Sequence, residues 1–193
     1  MVIGLTGGIG CGKSAAAAFF AQAGYRVVDT DQLARQVLSS PACIEKLLGR
    51  WGRDCLSSDG LPARSWIAAK VFADEAERLF LESVTHPEIA RLRKEATQDV
   101  TANYVVEIPL LFEKKLASEF DVTVCVASTD SVRLARWLAK GFSVKDIQRR
   151  INSQLPLMEK VKLSGVVIWN DGSLEFLREQ VLAVVRNLAP AKS

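Results

Sequence analysis

The 193-residue sequence predicts a three-layer α/β fold: a five-stranded parallel sheet with helices on both faces. Three observations carry that prediction. Short apolar runs of strand length alternate with helical stretches, the pattern that joins parallel strands through helices. The later runs are almost continuous in apolar residues, as strands buried on both faces require. The first run leads straight into Gly7-Gly8-Ile9-Gly10-Cys11-Gly12-Lys13-Ser14, a glycine-rich loop that opens a helix.

That loop matches the phosphate-binding pattern G-x-x-x-x-G-K-[ST] at each fixed position. With average residue usage, a chance match is expected in under about 1% of chains this long. The glycines take positive φ and leave room for a phosphate against the backbone. Successive N–H groups then face inward at the start of a helix whose dipole also favours an anion. Gly8, Ile9, Gly10, Cys11, Gly12, Lys13, Ser14 and Ala15 are therefore the expected nucleotide-phosphate cradle. Lys13 is expected to reach the β- and γ-phosphates. The Ser14 hydroxyl is the expected Mg²⁺ ligand, since that ion takes oxygen donors. A strand over Met1–Thr6, the loop, and an alanine-rich helix over Ser14–Ala23 form the opening unit of a P-loop NTPase fold.

Composition narrows the class. Apolar residues make up 49% and charged residues 24%, the balance of an ordinary globular chain. No run of about 18 apolar residues exists, so no membrane partner is expected, and the N-terminus lacks the basic segment and cleavage site of a secretory signal. The four cysteines (Cys11, Cys43, Cys55, Cys125) show no C-x-x-C spacing, which fits reduced thiols in a cytoplasmic protein rather than zinc. The net charge of +3 carries no global nucleic-acid signal. Between Asp130 and Lys162, however, eight Lys/Arg stand against three acids. A solvated helix face and a phosphate clamp both account for such a run, and the loop upstream favours the clamp.

Taken in order, Gly24 closes the first helix and Tyr25–Asp29 is a strand of β-formers. It ends in Asp29-Thr30-Asp31, on the sheet edge where open α/β sheets bind ligands. One of these carboxylates is expected to cap the helix Gln32–Leu38 and the other to do chemistry, and Asp29 is placed to do both by holding water on Mg²⁺. From Ser39 to Gln98 the strand signals stop. Helices are predicted over Pro41–Leu48 with Gly49 as the stop, over Pro62–Phe72, from Asp74 to Thr85, and again from Pro87, which suits a first helical position. The block is too long for a plain crossover and reads as a helical subdomain inserted between strands 2 and 3. His86 is the only histidine, and Trp51 and Trp66 are expected in core or pocket wall.

Strands resume over Asn103–Ile108 and Phe120–Ala127, with a turn into a short helix after Pro109. Glu107 ends the third strand, placed either to hold Mg²⁺-bound water or a substrate hydroxyl, or to pair with a Lys or Arg. Ser128 or Thr129 is expected to cap a helix Asp130–Lys140 that carries Arg133, Arg136 and Lys140, the last two on one face. Gly141 ends it. A Ser143…Asp146 capping box starts a helix to about Gln154, which Pro156 breaks. Gly165–Trp169 is the fifth strand. Ser173 caps a last helix with Leu174, Leu177, Val181, Val184, Val185 and Leu188 along one apolar face. The tail Pro190–Ser193 is expected to fray.

A phosphate loop, carboxylates at the next strand end and a late basic hairpin describe a small phosphotransferase. Phosphoryl transfer needs in-line placement, Mg²⁺ and positive charge more than covalent help. Lys13, a Mg²⁺ on Ser14 and a basic lid suit that chemistry, and Asp31 is the candidate base for an acceptor hydroxyl. A lid also keeps out water, the competing acceptor. The rival class is a nucleotide switch, but the guanine-reading N-K-x-D of GTPase switches is missing: Asn170-Asp171-Gly172 lacks the lysine. A nucleic-acid partner is not expected, since the basic run has no aromatic interleaving beyond Trp137.

These residues resemble one family, dephospho-coenzyme A kinase, along nearly the whole chain. Gly4–Ser14 is similar to its opening G-L-T-G-G-I-G-x-G-K-S and Asp29–Arg35 to its D-x-D-x-[IL]-A-R. His86-Pro87 matches its H-P pair, and Glu107–Glu113 its [VE]-x-P-L-L-x-E segment. Arg150–Gln154, Lys160 and Asn170–Gly172 match its R-I-x-x-Q…K…N-x-G series. The resemblance implies ATP-dependent phosphorylation of the ribose 3′-hydroxyl of dephospho-coenzyme A, the last step of coenzyme A synthesis. It implies Asp31 as base, with Lys13, Arg136 and Lys140 as further catalytic residues. Arg35, His86, Pro109 and Leu110 fall to the acceptor, and Asn170 to the adenine side of ATP. Residues 1–38, 99–128 and 163–193 become the nucleotide-binding core, 39–98 the coenzyme-binding subdomain and 129–162 the lid. A cytoplasmic monomer acting on ATP and dephospho-coenzyme A, with no nucleic-acid or membrane partner, is expected.

Three departures from the family pattern stand out. Cys11 replaces the usual serine or threonine and sets a thiol beside cationic groups, for which oxidation sensitivity is the expectation. Lys140 stands where an arginine is usual, keeping the charge and losing the bidentate fork. Ser164-Gly165 replaces the usual Ala-Asp before the last strand, close to the adenine-side Asn170.

Overall fold

The structure, a computed structural model, describes residues 1–188. The tail Pro190–Ser193 lies outside the described residues. Five strands form one parallel sheet: β1 (Val2–Gly7), β2 (Arg26–Asp29), β3 (Tyr104–Glu107), β4 (Val122–Ala127) and β5 (Val166–Trp169), in the order β2-β3-β1-β4-β5. The α-helices among the described residues are α1 (Lys13–Gln22), α2 (Thr30–Leu38), α3 (Pro41–Trp51), α4 (Arg64–Ala73), α5 (Glu75–Ala96), α6 (Asp130–Ala139), α7 (Val144–Asn152), α8 (Leu157–Leu163) and α9 (Leu174–Leu188). The chain forms two compact units, Met1–Asp29 with everything from Asp99 on, and Thr30–Gln98.

The first unit holds the sheet. Side chains alternate across a strand, and here both sets are covered. Ile3, Leu5, Val105, Val124, Val126 and Ile168 join one apolar cluster with Phe20 of α1 and with Leu177 and Val181 of α9. Burying a side chain of this size contributes about 1.5–3 kcal/mol. Gly4 faces the other way, and a Cβ there would lie 2.8 Å from Leu111 Cδ1 and 2.9 Å from the Phe120 ring. Thr6 shares that face, its hydroxyl 3.4 Å from the Pro109 carbonyl. α8 packs on β4 and β1. β1 is central, with Leu5 level with Glu107 on β3 and with Val124 on β4. From β1 the chain crosses to β2 and β3 on one side and to β4 and β5 on the other. The crevice of such a sheet opens beyond the C-terminal end of the strand at this switch, where the phosphate loop lies.

Several elements differ from expectation in this unit. α8 is a helix where only the break at Pro156 is predicted. Its seven residues are too few to display an apolar period beside the strand that follows. The segment after Pro109 is a run of turns, not a helix. It ends at Lys115, whose φ of 55° closes it through Leu116 N–H to Leu111 O (2.9 Å). Neither Ser128 nor Thr129 caps α6 with its side chain. Instead Asp171 reaches across from the end of β5 and accepts from Thr129 N–H at 2.7 Å. Ser143 and Ser173 do cap α7 and α9, accepting from Asp146 N and Phe176 N. Leu174 is exposed, because the apolar face of α9 meets the sheet only from Leu177 on.

The second unit is all helix around Cys43, Leu47, Cys55 and Ile67. Trp51 stacks edge-on against Trp66 and Phe80, at 5.9 and 5.3 Å between centroids, and its indole N–H donates to Glu77 Oε2 at 2.6 Å. The unit begins at Thr30, earlier than the predicted boundary at Ser39, because α2 packs along α5. Gly49 does not stop α3. An interior glycine costs only about 1 kcal/mol, and the helix runs on to Gly52, whose φ of 67° suits glycine alone. Pro87 does not start a helix either. It lies inside α5, a single helix of 22 residues that Asp74 caps at Ala76 N (2.8 Å) and Glu77 N (3.4 Å). Pro87 leaves the Ser83 carbonyl without its helical donor, at a cost of about 3 kcal/mol. Packing against α2, α3 and α4 keeps the helix continuous.

Candidate active site

The phosphate loop has the predicted form. Gly10 and Gly12 hold φ of 81° and 89°, and α1 starts at Lys13 from Gly12, which has no side chain to cap it. The first-turn N–H groups of α1 are thus left for a ligand, as an anion site at a helix start requires. Lys13 Nζ donates to Glu107 Oε2 at 2.8 Å, and Ser14 Oγ donates to the same oxygen at 3.2 Å. Glu107 is 6% exposed. Of the two roles open for it, pairing with a lysine is the one seen. Asp29 ends β2 in register with Glu107, so both carboxylates stand on the C-terminal edge of the sheet.

The loop is held from outside by side chains aimed at its carbonyls. Arg133 Nε donates to Ile9 O at 2.9 Å, and Arg136 Nη1 to Gly10 O at 3.3 Å. Asn170 Nδ2 donates to Cys11 O at 2.8 Å. Arg136 also donates to Asn170 O at 2.9 Å and to Ser128 Oγ at 3.1 Å, while Ser128 donates to Asn170 O at 2.8 Å. The neighbours are tight. A Cβ on Gly10 would lie 2.6 Å from the Trp137 ring, and one on Gly12 would run into Asn170 Nδ2. Asn170, predicted on the adenine side, is 3% exposed and gives its amide to the loop. Arg136, predicted in a lid, rests on the loop as well. Lys140 is exposed at the end of α6.

Cys11 is fully buried within the apolar cluster. Burial pushes its thiol up, outweighing Arg133 and Arg136, which pull it down. A buried thiol with a raised pKa is inert, so the expected oxidation sensitivity of Cys11 is corrected. The cationic neighbours are real, but they serve the carbonyls.

Pro109 and Leu110 follow β3, and Pro109 is anchored. Lys160, with no exposed surface, donates to Pro109 O at 2.6 Å and pairs with Glu113 Oε1 at 2.8 Å. Glu113 Oε1 also accepts from Leu155 N–H at 2.8 Å. In the helical unit, Asp31 lies in the first turn of α2 and Arg35 one turn on, its Nε donating to Asp31 O at 3.1 Å. His86 is exposed in the middle of α5. Sequence reasoning missed the contacts of Arg133 with Ile9 O, of Ser128 with Asn170 O, and of Lys160 with Glu113. The i,i+3 spacing of Arg133 and Arg136 on one helix was the signal available for the first.

A family model described as dephospho-CoA kinase matches residues 1–175. The chain is 40% identical over 197 residues to a dephospho-CoA kinase of Syntrophotalea carbinolica, covering 98% of this chain and 93% of that one. It belongs to the dephospho-CoA kinase family. A second relative of that name, from Carboxydothermus hydrogenoformans, is 38% identical over 192 residues, covering 96% of this chain and 93% of its own. A solved structure from Thermus thermophilus superposes with a TM-score of 0.86 at 36% identity, covering 98% of both chains. The dephospho-CoA kinase family is one of phosphotransferases, so this chain is a kinase of P-loop fold. Among the described residues no helix is long and apolar enough to cross a membrane.

Proposed function

We propose that this dephospho-CoA kinase family member transfers the γ-phosphoryl group of ATP to the ribose 3′-hydroxyl of dephospho-CoA, giving CoA and ADP. The observation that carries this reading is the convergence of Lys13 Nζ and Ser14 Oγ on one Glu107 oxygen at the open start of α1. Two donors for anionic oxygen and one carboxylate meet where a nucleotide's β- and γ-phosphates would lie.

A Mg²⁺ ion fits these residues, since a hydroxyl and a carboxylate are the hard oxygen donors it takes. Ser14 would hold it directly and Glu107 through water, and when bound it would neutralise charge on the β- and γ-phosphates. Lys13 would exchange its Glu107 contact for phosphate oxygens. Arg136 and Lys140 add positive charge near the transferring group, with Lys140 in the part of 129–162 that acts as a lid. Asp31 takes the proton of the acceptor hydroxyl. Arg35, His86, Pro109 and Leu110 hold the acceptor, and the helical unit Thr30–Gln98, which takes in the expected 39–98, forms its subdomain. The enzyme works as a monomer in the cytoplasm, and four cysteines that are all free and buried accord with that reducing compartment.

The test mixes protein, ATP, Mg²⁺ and dephospho-CoA, following ADP release and product mass, beside nucleoside monophosphates as rival acceptors. CoA formation by the parent, with turnover lowered by about 10²-fold or more in Asp31→Asn, supports both the substrate and the base. Turnover only on another acceptor refutes the substrate. Full activity in the variant refutes the base.

A further inference from the structure

We propose that Arg133 is a positioning residue for nucleotide binding: it sets the phosphate loop in its ATP-ready form by holding the Ile9 carbonyl outward. The inference rests on the kinase reading for the ligand but not for the acceptor.

The argument begins with the softness of the loop. Glycine populates positive and negative φ about equally, so peptide planes beside Gly10 and Gly12 rotate at little cost. A phosphate cradle works only when its N–H groups are already turned inward. In a trans peptide the C=O and the following N–H point opposite ways. A donor that grips the Ile9 carbonyl from outside therefore turns Gly10 N–H toward the ligand side. A donor on the Cys11 carbonyl does the same for Gly12 N–H. Arg133 makes the first contact at 2.9 Å and Asn170 the second at 2.8 Å.

Arg133 carries more than one hydrogen bond's worth of consequence. It is 7% exposed, and desolvating a guanidinium costs several kcal/mol unless partners offset it. Its other partner in the structure, Asp130 at 2.7 Å, has a side chain 94% exposed, so that pair is largely screened. Burial beside the loop is thus poorly explained by stability. It is well explained by a positive charge lying directly behind the glycines, where a Cβ on Gly8 would sit 3.5 Å from Arg133 Cζ. The charge draws phosphate toward the loop, while the Nε–H fixes the plane that receives it. α6 is then a strut for the loop along the stretch from Arg133 to Trp137.

The experiment compares the parent with Arg133→Met and Arg133→Lys. It measures ADP affinity by calorimetry, KM for ATP and for dephospho-CoA, and melting temperature. A hydrogen bond from a charged donor carries about 1.5–3 kcal/mol, so Arg133→Met is expected to weaken ADP and raise KM for ATP by about 10- to 100-fold. Arg133→Lys keeps the charge without the fork and is expected to lose about 3- to 10-fold. KM for dephospho-CoA should stay within about twofold in both variants. A purely structural role would lower the melting temperature and leave the ATP-to-acceptor KM ratio unchanged. ADP affinity within about twofold of the parent in Arg133→Met overturns the proposal, as do equal losses for both substrates. If Arg133→Met does not fold, an unchanged ADP affinity in Arg133→Lys overturns it. ADP binding needs no acceptor, so an error in the assigned acceptor would leave this readout intact.

Discussion

Replacing Lys160 with methionine should destabilise the sheet-bearing unit by about 3 kcal/mol. Lys160 has no exposed surface and three acceptors: Pro109 O at 2.6 Å, Glu113 Oε1 at 2.8 Å and Gln154 Oε1 at 3.5 Å. Methionine fills similar volume, so little cavity is expected, and the loss is electrostatic. Removing one member of a buried ion pair typically costs about 3–5 kcal/mol, because the other charge stays behind unpaired. The Glu113 side chain keeps 18% exposure, which puts the cost at the lower end. Its Oε2 is already a buried oxygen with no hydrogen-bond partner, so the Leu155 N–H on Oε1 would be left as its donor, a neutral group that does not balance the charge. Pro109 O would retain only the Thr6 hydroxyl at 3.4 Å. For a chain of this size about 3 kcal/mol corresponds to a fall of about 6–12 °C in melting temperature. Urea unfolding of parent, Lys160→Met, Glu113→Gln and the double variant measures the coupling directly. The double variant should recover about 1–2 kcal/mol relative to Lys160→Met, since it no longer buries a lone carboxylate. A loss below about 1 kcal/mol in Lys160→Met, or no recovery in the double variant, would refute the assignment of this pair as the anchor of the Pro109 segment.

Pro87→Ala should stabilise the helical unit by about 2–2.5 kcal/mol, since it restores the N–H that the Ser83 carbonyl lacks and loses only the entropy proline removes from the unfolded chain; a lower unfolding midpoint would show that the proline is needed for the path of α5. All four cysteines are buried, and burial raises each thiol, Cys125 to about 11. The native protein at pH 8 should therefore expose less than about one thiol to a disulfide reagent, and its turnover should survive mild peroxide; rapid labelling of Cys11 would contradict its placement. The same shift predicts alkaline destabilisation. An unfolded Cys125 loses its proton above its ordinary 9.0, while the folded one keeps it to about 11, so unfolding becomes easier as pH rises through that window. Cys125→Ala should flatten the fall, and an unchanged slope would sink the assignment.

The strands were legible because a parallel sheet writes itself as apolar runs, and the loop because its fixed positions are required by the phosphate it holds. Failures came where a local signal met a tertiary one. Pro87 looks like a helix start by propensity, yet packing on α2 and α4 carries α5 through it. Gly49 looks like a stop, yet one interior glycine is too small a penalty to end α3. The site shows the same division. Lys13, Ser14 and Glu107 are recognisable because side chains of complementary charge stand at predictable strand and helix ends. Arg133 is not, because its partner is a backbone carbonyl 124 positions away, and every residue has a carbonyl. Asn170 was placed on the adenine side by resemblance, but its contact with the loop was not legible, since its partner, Cys11 O, is 159 positions distant. A motif of glycines, lysine and serine therefore says which atoms touch phosphate, but not how firmly the loop is set to receive it. On the proposal made for Arg133, that second property is set by donors to the loop carbonyls, Arg133, Arg136 and Asn170, which lie far outside the motif. Two chains with identical phosphate loops can differ in nucleotide affinity through such residues alone, and those positions are where affinity differences within the family should be sought.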